Sequence, residues 1–206
     1  MVSRERLLSA AARVYAEAGF RGSTTRRIAD EAGLNEVTIF RLFGSKAALL
    51  NAAVRHSTPS DVVHALPATP RDPQRELAAW ANAQLTFLRE HSALIRKSLA
   101  ETEELPEMGT QACEGCMHAH HSLHRYARQL AAEWGTPRAD ADSAVAMLIA
   151  AIMSDAIARG AMGAVFPQPA KRAAAAYVRV FLRAIGKPDR ATSRVGARRR
   201  RTKAKS

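Results

Sequence analysis

Residues 24–46 read TTRRIADEAGLNEVTIFRLFGSK. Ile28, Ala29 and Ala32 fall on one side of a short helix and Arg26, Arg27, Asp30 and Glu31 on the other, with Thr24 placed to cap its first turn. Gly33 supplies the positive φ that a tight interhelical turn favours, Leu34 fills the core behind it, and Asn35 caps a second helix that buries Ile39 and Phe43. Gly44 stops that helix, and Ser45 caps the next, whose inner face is Ala48, Leu49 and Ala53. Two short helices about a glycine turn, with a third starting at once, have the layout of a helix-turn-helix, whose second helix lies in the DNA major groove.

Upstream, Leu7, Leu8, Ala11, Val14, Tyr15 and Ala18 form one helical stripe, capped by Ser3 and ended by Gly19, after which Phe20 packs back into the small core. Downstream, residues 57–71 carry three prolines and break the helical pattern. Asp72 and Pro73 open a helix with an inward stripe of Leu77, Trp80, Ala81, Gln84, Leu85 and Leu88. Ser92 caps a shorter helix through Leu94, Ile95 and Leu99, and a longer one is predicted from about Thr110 to Trp134. Two last helices, 142–160 and 170–186, are rich in alanine and pack closely, forming with a second copy a four-helix dimer face.

Charge follows this division. Residues 1–56 hold nine Lys/Arg against five Asp/Glu, residues 57–186 thirteen against thirteen, and residues 187–206 nine against one, so +4, 0 and +8 recover the net +12 of the 206-residue chain. Basic ends around a neutral middle suit a polyanion met at the ends, nucleic acid first, with anionic lipid as the alternative for the tail. The tail has almost no large apolar side chain and reads as disordered. No apolar run of about 18 residues occurs and MVSRERLL lacks a signal-peptide layout, which places the chain in the cytoplasm with no membrane partner.

One cluster stands apart. CEGCMHAHHSLH puts Cys113, Cys116 and His120 on one helical face with His124 beside them, a set able to sense a metal or thiol redox state. No second CxxC or HxxxH pair accompanies it, and buried cysteine packs as a small apolar residue, so pocket lining is the leading account and no metal or cofactor is assigned.

Thr24, Thr25, Arg26, Ile28, Ala29, Ala32, Gly33, Thr38, Ile39, Phe40, Phe43, Ser45, Lys46, Ala48 and Leu49 together resemble the N-terminal signature of the tetracycline repressor (TetR) family of bacterial transcription regulators. The resemblance covers about the first 50 residues and implies an all-α chain, with an N-terminal three-helix DNA-binding domain and a larger helical ligand-binding and dimerisation domain. Carried over by position, it implies that Thr24, Thr25 and Lys46 hold phosphates, and that Arg26, Glu36, Val37 and Arg41 face bases or the adjacent backbone, with Thr38 and Phe40 on the same reading helix. Phe40 stands where the family usually carries a tyrosine that bonds a phosphate; phenylalanine packs but cannot donate.

The chemistry of the residues agrees. Threonines at a helix start suit a phosphate, arginine grips guanine in bidentate fashion, glutamate accepts from cytosine, and valine meets a thymine methyl. Lys46, near the positive end of its helix dipole, calls for an outside anion. The expected organisation is 1–56 for DNA binding, 57–186 for ligand binding and dimerisation, and 187–206 as a basic tail. The expected function is a homodimeric regulator of double-stranded operator DNA, a repressor released by an unknown small-molecule effector. Trp80, Gln84, Leu88, Met117, His120, His121 and Met147 are the candidate ligand contacts, being large or polar on inward faces. An enzyme would need an acid, base or nucleophile constellation that the histidine-rich helix lacks, and a sequence-indifferent DNA-packaging protein would not need Glu36 on the reading helix.

Overall fold

The structure, a computed structural model, describes residues 2–57, 65–101 and 106–186, with side chains from Arg4 and, in the third stretch, from Met117. The tail 187–206 and the side chains of Cys113 and Cys116 lie outside the described residues. Among the described residues the regular structure is helical and no strand occurs.

The N-terminal unit comprises α1 (Val2–Gly22), α2 (Thr25–Ala32), α3 (Glu36–Phe43) and α4 (Lys46–Ser57). Its junctions are set by short polar residues and glycines. The Thr24 side chain accepts the Arg27 N–H at 3.2 Å, Asn35 accepts the Val37 N–H at 2.9 Å, and the Ser45 hydroxyl accepts the Ala48 N–H at 3.1 Å, so each helix start gains a side-chain partner for a backbone donor that has none within the helix. Gly33, at φ 64°, closes α2 in the left-handed conformation that costs glycine no steric penalty. Gly19, at φ 68° and ψ −174°, breaks α1 three residues before its last turn ends. The core beneath is built from Leu7, Tyr15, Ile28, Ile39, Leu49 and Leu50, all fully buried. Ala48 is only half-buried, whereas Leu50 and Val54, absent from the expected inner face, are buried in the same N-terminal core.

The larger domain comprises α5 (Pro73–Glu90), α6 (Ser92–Ala100), α7 (Pro106–Trp134), α8 (Arg138–Met162) and α9 (Ala173–Ala184). The α5 stripe buries the six positions its periodicity indicates. Several boundaries differ from expectation, α9 among them, which is preceded by a 3-10 turn at Ala170–Arg172. His91, not Ser92, stands at the start of α6 and makes no side-chain cap. Leu99, expected inside, is exposed. The long helix α7 begins at Pro106 rather than near Thr110, and α8 begins at Arg138, four residues before Asp142.

Helix α6 joins the two units. Leu94 is buried in the N-terminal core while its neighbour Ile95 is buried in the other, so one helix wedges into both. Helix α8 is long and apolar enough by composition to cross a membrane. Here it packs against α5, α7 and α9, and it carries a carboxylate, Asp155, that is wholly buried. Arg89 of α5 donates to Asp155 at 2.7 Å, Arg159 through two contacts at 2.5 and 2.7 Å, and the Tyr177 hydroxyl of α9 at 2.7 Å. Burial pushes this carboxyl up, but the bonds from Arg159, Arg89 and Tyr177 outweigh it and hold the group at about 2.

Candidate nucleic-acid interface

Helix α3 has one locked side and one bare side. Ile39 is completely buried, whereas Val37 is 70% and Phe40 51% exposed, with Leu42 also open to solvent. Arg26 on α2 and Arg41 on α3 are exposed, and Thr38 and Glu36 are half-buried. Large apolar side chains left uncovered on a rigid helix and bordered by guanidinium groups have the composition of a groove-reading face.

The polar residues nearest this face have partners of their own. Thr24 is occupied as the cap of α2. The Thr25 hydroxyl donates to the Glu36 carboxylate at 2.5 Å, tying the first residue of α2 to the first residue of α3. Lys46 donates to the Phe20 carbonyl at 2.9 Å, with its ammonium 3.9 Å from the centre of the Phe20 ring. Lys46 thus has a carbonyl acceptor and an aromatic face as partners within the protein. Arg6 donates to the Ala32 carbonyl at 2.9 Å, and Arg4 lies 5.1 Å over the Phe43 ring, so two basic residues that the sequence reading passed over brace the helix-turn-helix from α1.

Phe20 is held from both sides. Its N–H donates to Glu101, at the end of α6, at 2.7 Å, while its C=O accepts from Lys46. A Cβ on Gly19 would lie 2.5 Å from that same Glu101 oxygen, so glycine at position 19 serves both the positive φ and the close approach. Burial, and after it the nearby Glu101, raises the Tyr15 phenol well above its ordinary value. A residue whose backbone N–H meets a carboxylate of one domain and whose C=O meets an ammonium of the other forms a joint that no sequence periodicity signals.

The candidate ligand residues do not form one group. Trp80, Gln84 and Leu88 share the buried face of α5. The Trp80 Nε1, Gln84 Nε2 and His120 Nδ1 atoms are buried without a hydrogen-bond partner among the described residues. Trp80 also borders an open cleft of about 760 Å³ along α5, with Leu66, Phe87, Glu76 and Glu90 in its walls. Met117 and His121 are exposed. Met147 is 66% exposed and lines a separate groove between α8 and α9 with Tyr177, Val180 and Phe181.

The His120 ring stacks on His124 with 5.7 Å between centroids, and His124 Nε2 lies 2.8 Å from Asp142. Among the described residues, no three His, Cys, Asp or Glu side chains are grouped to hold a metal.

Residues 7–53 match the family model for bacterial regulatory proteins, tetR family. This N-terminal unit is thus similar to the DNA-binding domain of tetR-family regulators. An uncharacterized HTH-type transcriptional regulator of Bacillus subtilis (strain 168), YvkB, is 31% identical over 100 residues, which are 48% of this chain and 52% of the relative; the chain thus spans about half the length of the curated relative it matches. Among solved structures, a protein of Pseudomonas aeruginosa PAO1 superposes with a TM-score of 0.75 at 21% identity, covering 89% of each chain. A transcriptional regulator from Rhodococcus sp. Rha1 gives 0.68 at 21%, covering 87% of this chain and 96% of its own. The TetR family transcriptional regulator PfmR from Thermus thermophilus gives 0.63 at 20%, covering 89% and 100%. At these identities the structural likeness shows the fold, a TetR-type helix-turn-helix domain followed by a larger helical domain.

Proposed function

We propose that this chain is a TetR-type regulator that binds double-stranded operator DNA as a homodimer, represses transcription, and is released by a small molecule bound in the larger domain. The observation that carries the DNA reading is the bare side of α3, where Val37, Phe40 and Arg41 stand open on a helix anchored by the buried Ile39, with Arg26 exposed on α2. Arg26, Glu36, Val37 and Arg41 read bases, with Thr38 and Phe40 on the same face. Thr24 and Thr25 stand at the start of α2, where free backbone N–H groups face a phosphate. Lys46 contributes by holding the Phe20 joint as well as by its charge.

Selection of a duplex from a random pool, followed by competition against random duplex, tests this. Arg41→Ala is expected to weaken the selected duplex by roughly 1–3 kcal/mol and to relax preference at one base pair. Equal affinity for all sequences would sink the regulator reading and favour sequence-indifferent binding.

Effector control follows from the unpartnered donors of the larger domain. Trp80 Nε1 and Gln84 Nε2 are buried N–H groups that a ligand carbonyl or hydroxyl would satisfy. A ligand shifts DNA affinity only by its preference for one arrangement of the two units. Helix α6, seated in both cores and bonded to Phe20 through Glu101, is the element whose position such a ligand would change.

A further inference from the structure

We propose that Glu36 masks the Thr25 hydroxyl, so that one phosphate contact of α2 is withheld until a base of the major groove takes over the Glu36 carboxylate. The inference rests on the reading that α3 enters a major groove. Thr25 and Glu36 are the first residues of two helices that meet at nearly the same edge of the helix-turn-helix, and the Thr25 Oγ1–Glu36 Oε1 bond is 2.5 Å long. Among the described residues, the Thr25 hydroxyl is the donor that the Glu36 side chain accepts from.

The argument is one of proton count. A threonine hydroxyl has a single proton to donate, and both a carboxylate and a phosphate oxygen are acceptors that bring none. The bond to Glu36 and a bond to DNA phosphate are therefore mutually exclusive. On a duplex that offers Glu36 nothing, the hydroxyl stays on the carboxylate, α2 loses a phosphate bond, and a fixed negative charge faces the polyanion. Where the groove floor presents the amino group of cytosine, Glu36 accepts from it. Reaching that amino group swings the carboxylate away from Thr25, and the hydroxyl, left without its acceptor, turns to the phosphate. A contact that carries no sequence information by itself is made conditional on a base. Thr25 becomes a specificity-determining residue through Glu36, and Glu36 suppresses nonspecific binding besides reading a base.

The test is a double-substitution cycle on the full chain, with binding to random duplex and to the duplex selected by the wild type measured by fluorescence anisotropy. In the wild-type background, Thr25→Val is expected to change random-duplex affinity less than about twofold, because the hydroxyl is already engaged. Glu36→Ala is expected to raise random-duplex affinity about tenfold, the scale of one hydrogen bond to a charged group, and to abolish the preference for cytosine at one position. Adding Thr25→Val to Glu36→Ala undoes most of that gain. Glu36→Gln, whose amide oxygen still accepts from Thr25, gains less than Glu36→Ala, and Thr25→Ser, which keeps the proton, behaves as wild type.

A Thr25→Val effect that is the same with and without Glu36, or a base preference untouched by Glu36→Ala, overturns the mask and leaves the DNA reading standing. A wild type that selects no sequence from the pool overturns both.

Discussion

At Asp155 a carboxylate with no access to water faces two guanidinium groups and a phenol drawn from three helices. Its ionised form is favoured by those bonds, which hold the group at about 2 against an ordinary 3.8. A carboxyl depressed on folding contributes stability that is complete above its unfolded value and is lost as pH falls through the folded one. Asp155 therefore stabilises the fold by roughly 2.5 kcal/mol near neutrality, lost progressively between about pH 5 and pH 2. Asp155→Ala should cost about 3–5 kcal/mol at pH 7, since it leaves Arg89 and Arg159 facing a vacated interior. It should also flatten the acid limb of the stability profile. Urea midpoints of both proteins at pH 7 and pH 3 check this, and an unchanged acid limb would show that the hub is electrostatically idle. None of this was legible in the sequence. Asp155 stands as one acidic residue in an apolar run, and Arg89 meets it from 66 positions away.

At the scale of elements, sequence reading succeeded where the determinants are local. Thr24, Asn35, Ser45 and Asp72 cap the helices they precede because a short oxygen side chain reaches the next turn whatever the rest of the chain does. The stripe of α5 was legible because six buried positions recur at helical spacing. It failed where a second wall decides. Leu50 and Val54 of α4 are buried beside the expected Leu49 and Ala53, and neighbours Leu94 and Ile95 of α6 enter different cores, which a single stripe cannot encode.

The exposed side chains of α2 and α3 were legible as a list, but not their partners. Thr25 is already bonded to Glu36, and Lys46 to Phe20, because both bonds depend on how separate helices pack. Glu101 belongs with these. It accepts from Phe20 across 81 positions and so ties α6 to the α1–α2 joint. Glu101→Ala should lower affinity for the selected duplex by about 5–20-fold with no change in the salt dependence of binding, because Glu101 acts on pose and not on phosphate. Glu101→Gln, which keeps an acceptor for the Phe20 N–H, should recover most of the loss. Reduced thermal stability with unchanged DNA affinity would make the joint a packing feature only.

At the scale of the molecule, the question is what the outer face of α8 and α9 meets. Met147 and Val180 are 66% and 59% exposed, and between them runs a groove of about 140 Å³ floored by Ala144, Ala151 and Ala184. Small residues let a second pair of helices approach closely, and a two-fold arrangement brings the same side chains together from each copy. The groove is held in shape from behind, since Tyr177 lines it while its hydroxyl is bonded to Asp155. A two-fold dimer also suits DNA, where half-sites recur about 34 Å apart and a pair of reading helices must match that spacing. Substituting both Met147→Glu and Val180→Glu would set like charges against each other across the axis. The cost to the isolated fold stays within about 0.5 kcal/mol per site, because both side chains are on its surface. Sedimentation at micromolar concentration is expected to show a dimer for the wild type and a monomer for the variant. Affinity for a two-half-site duplex should fall by about 10²–10⁴, the loss of having the second half-site bound intramolecularly, while affinity for a single half-site is kept. A variant that remains dimeric would move the interface off α8 and α9; a monomer that still holds the full duplex tightly would mean that the two copies do not read it together.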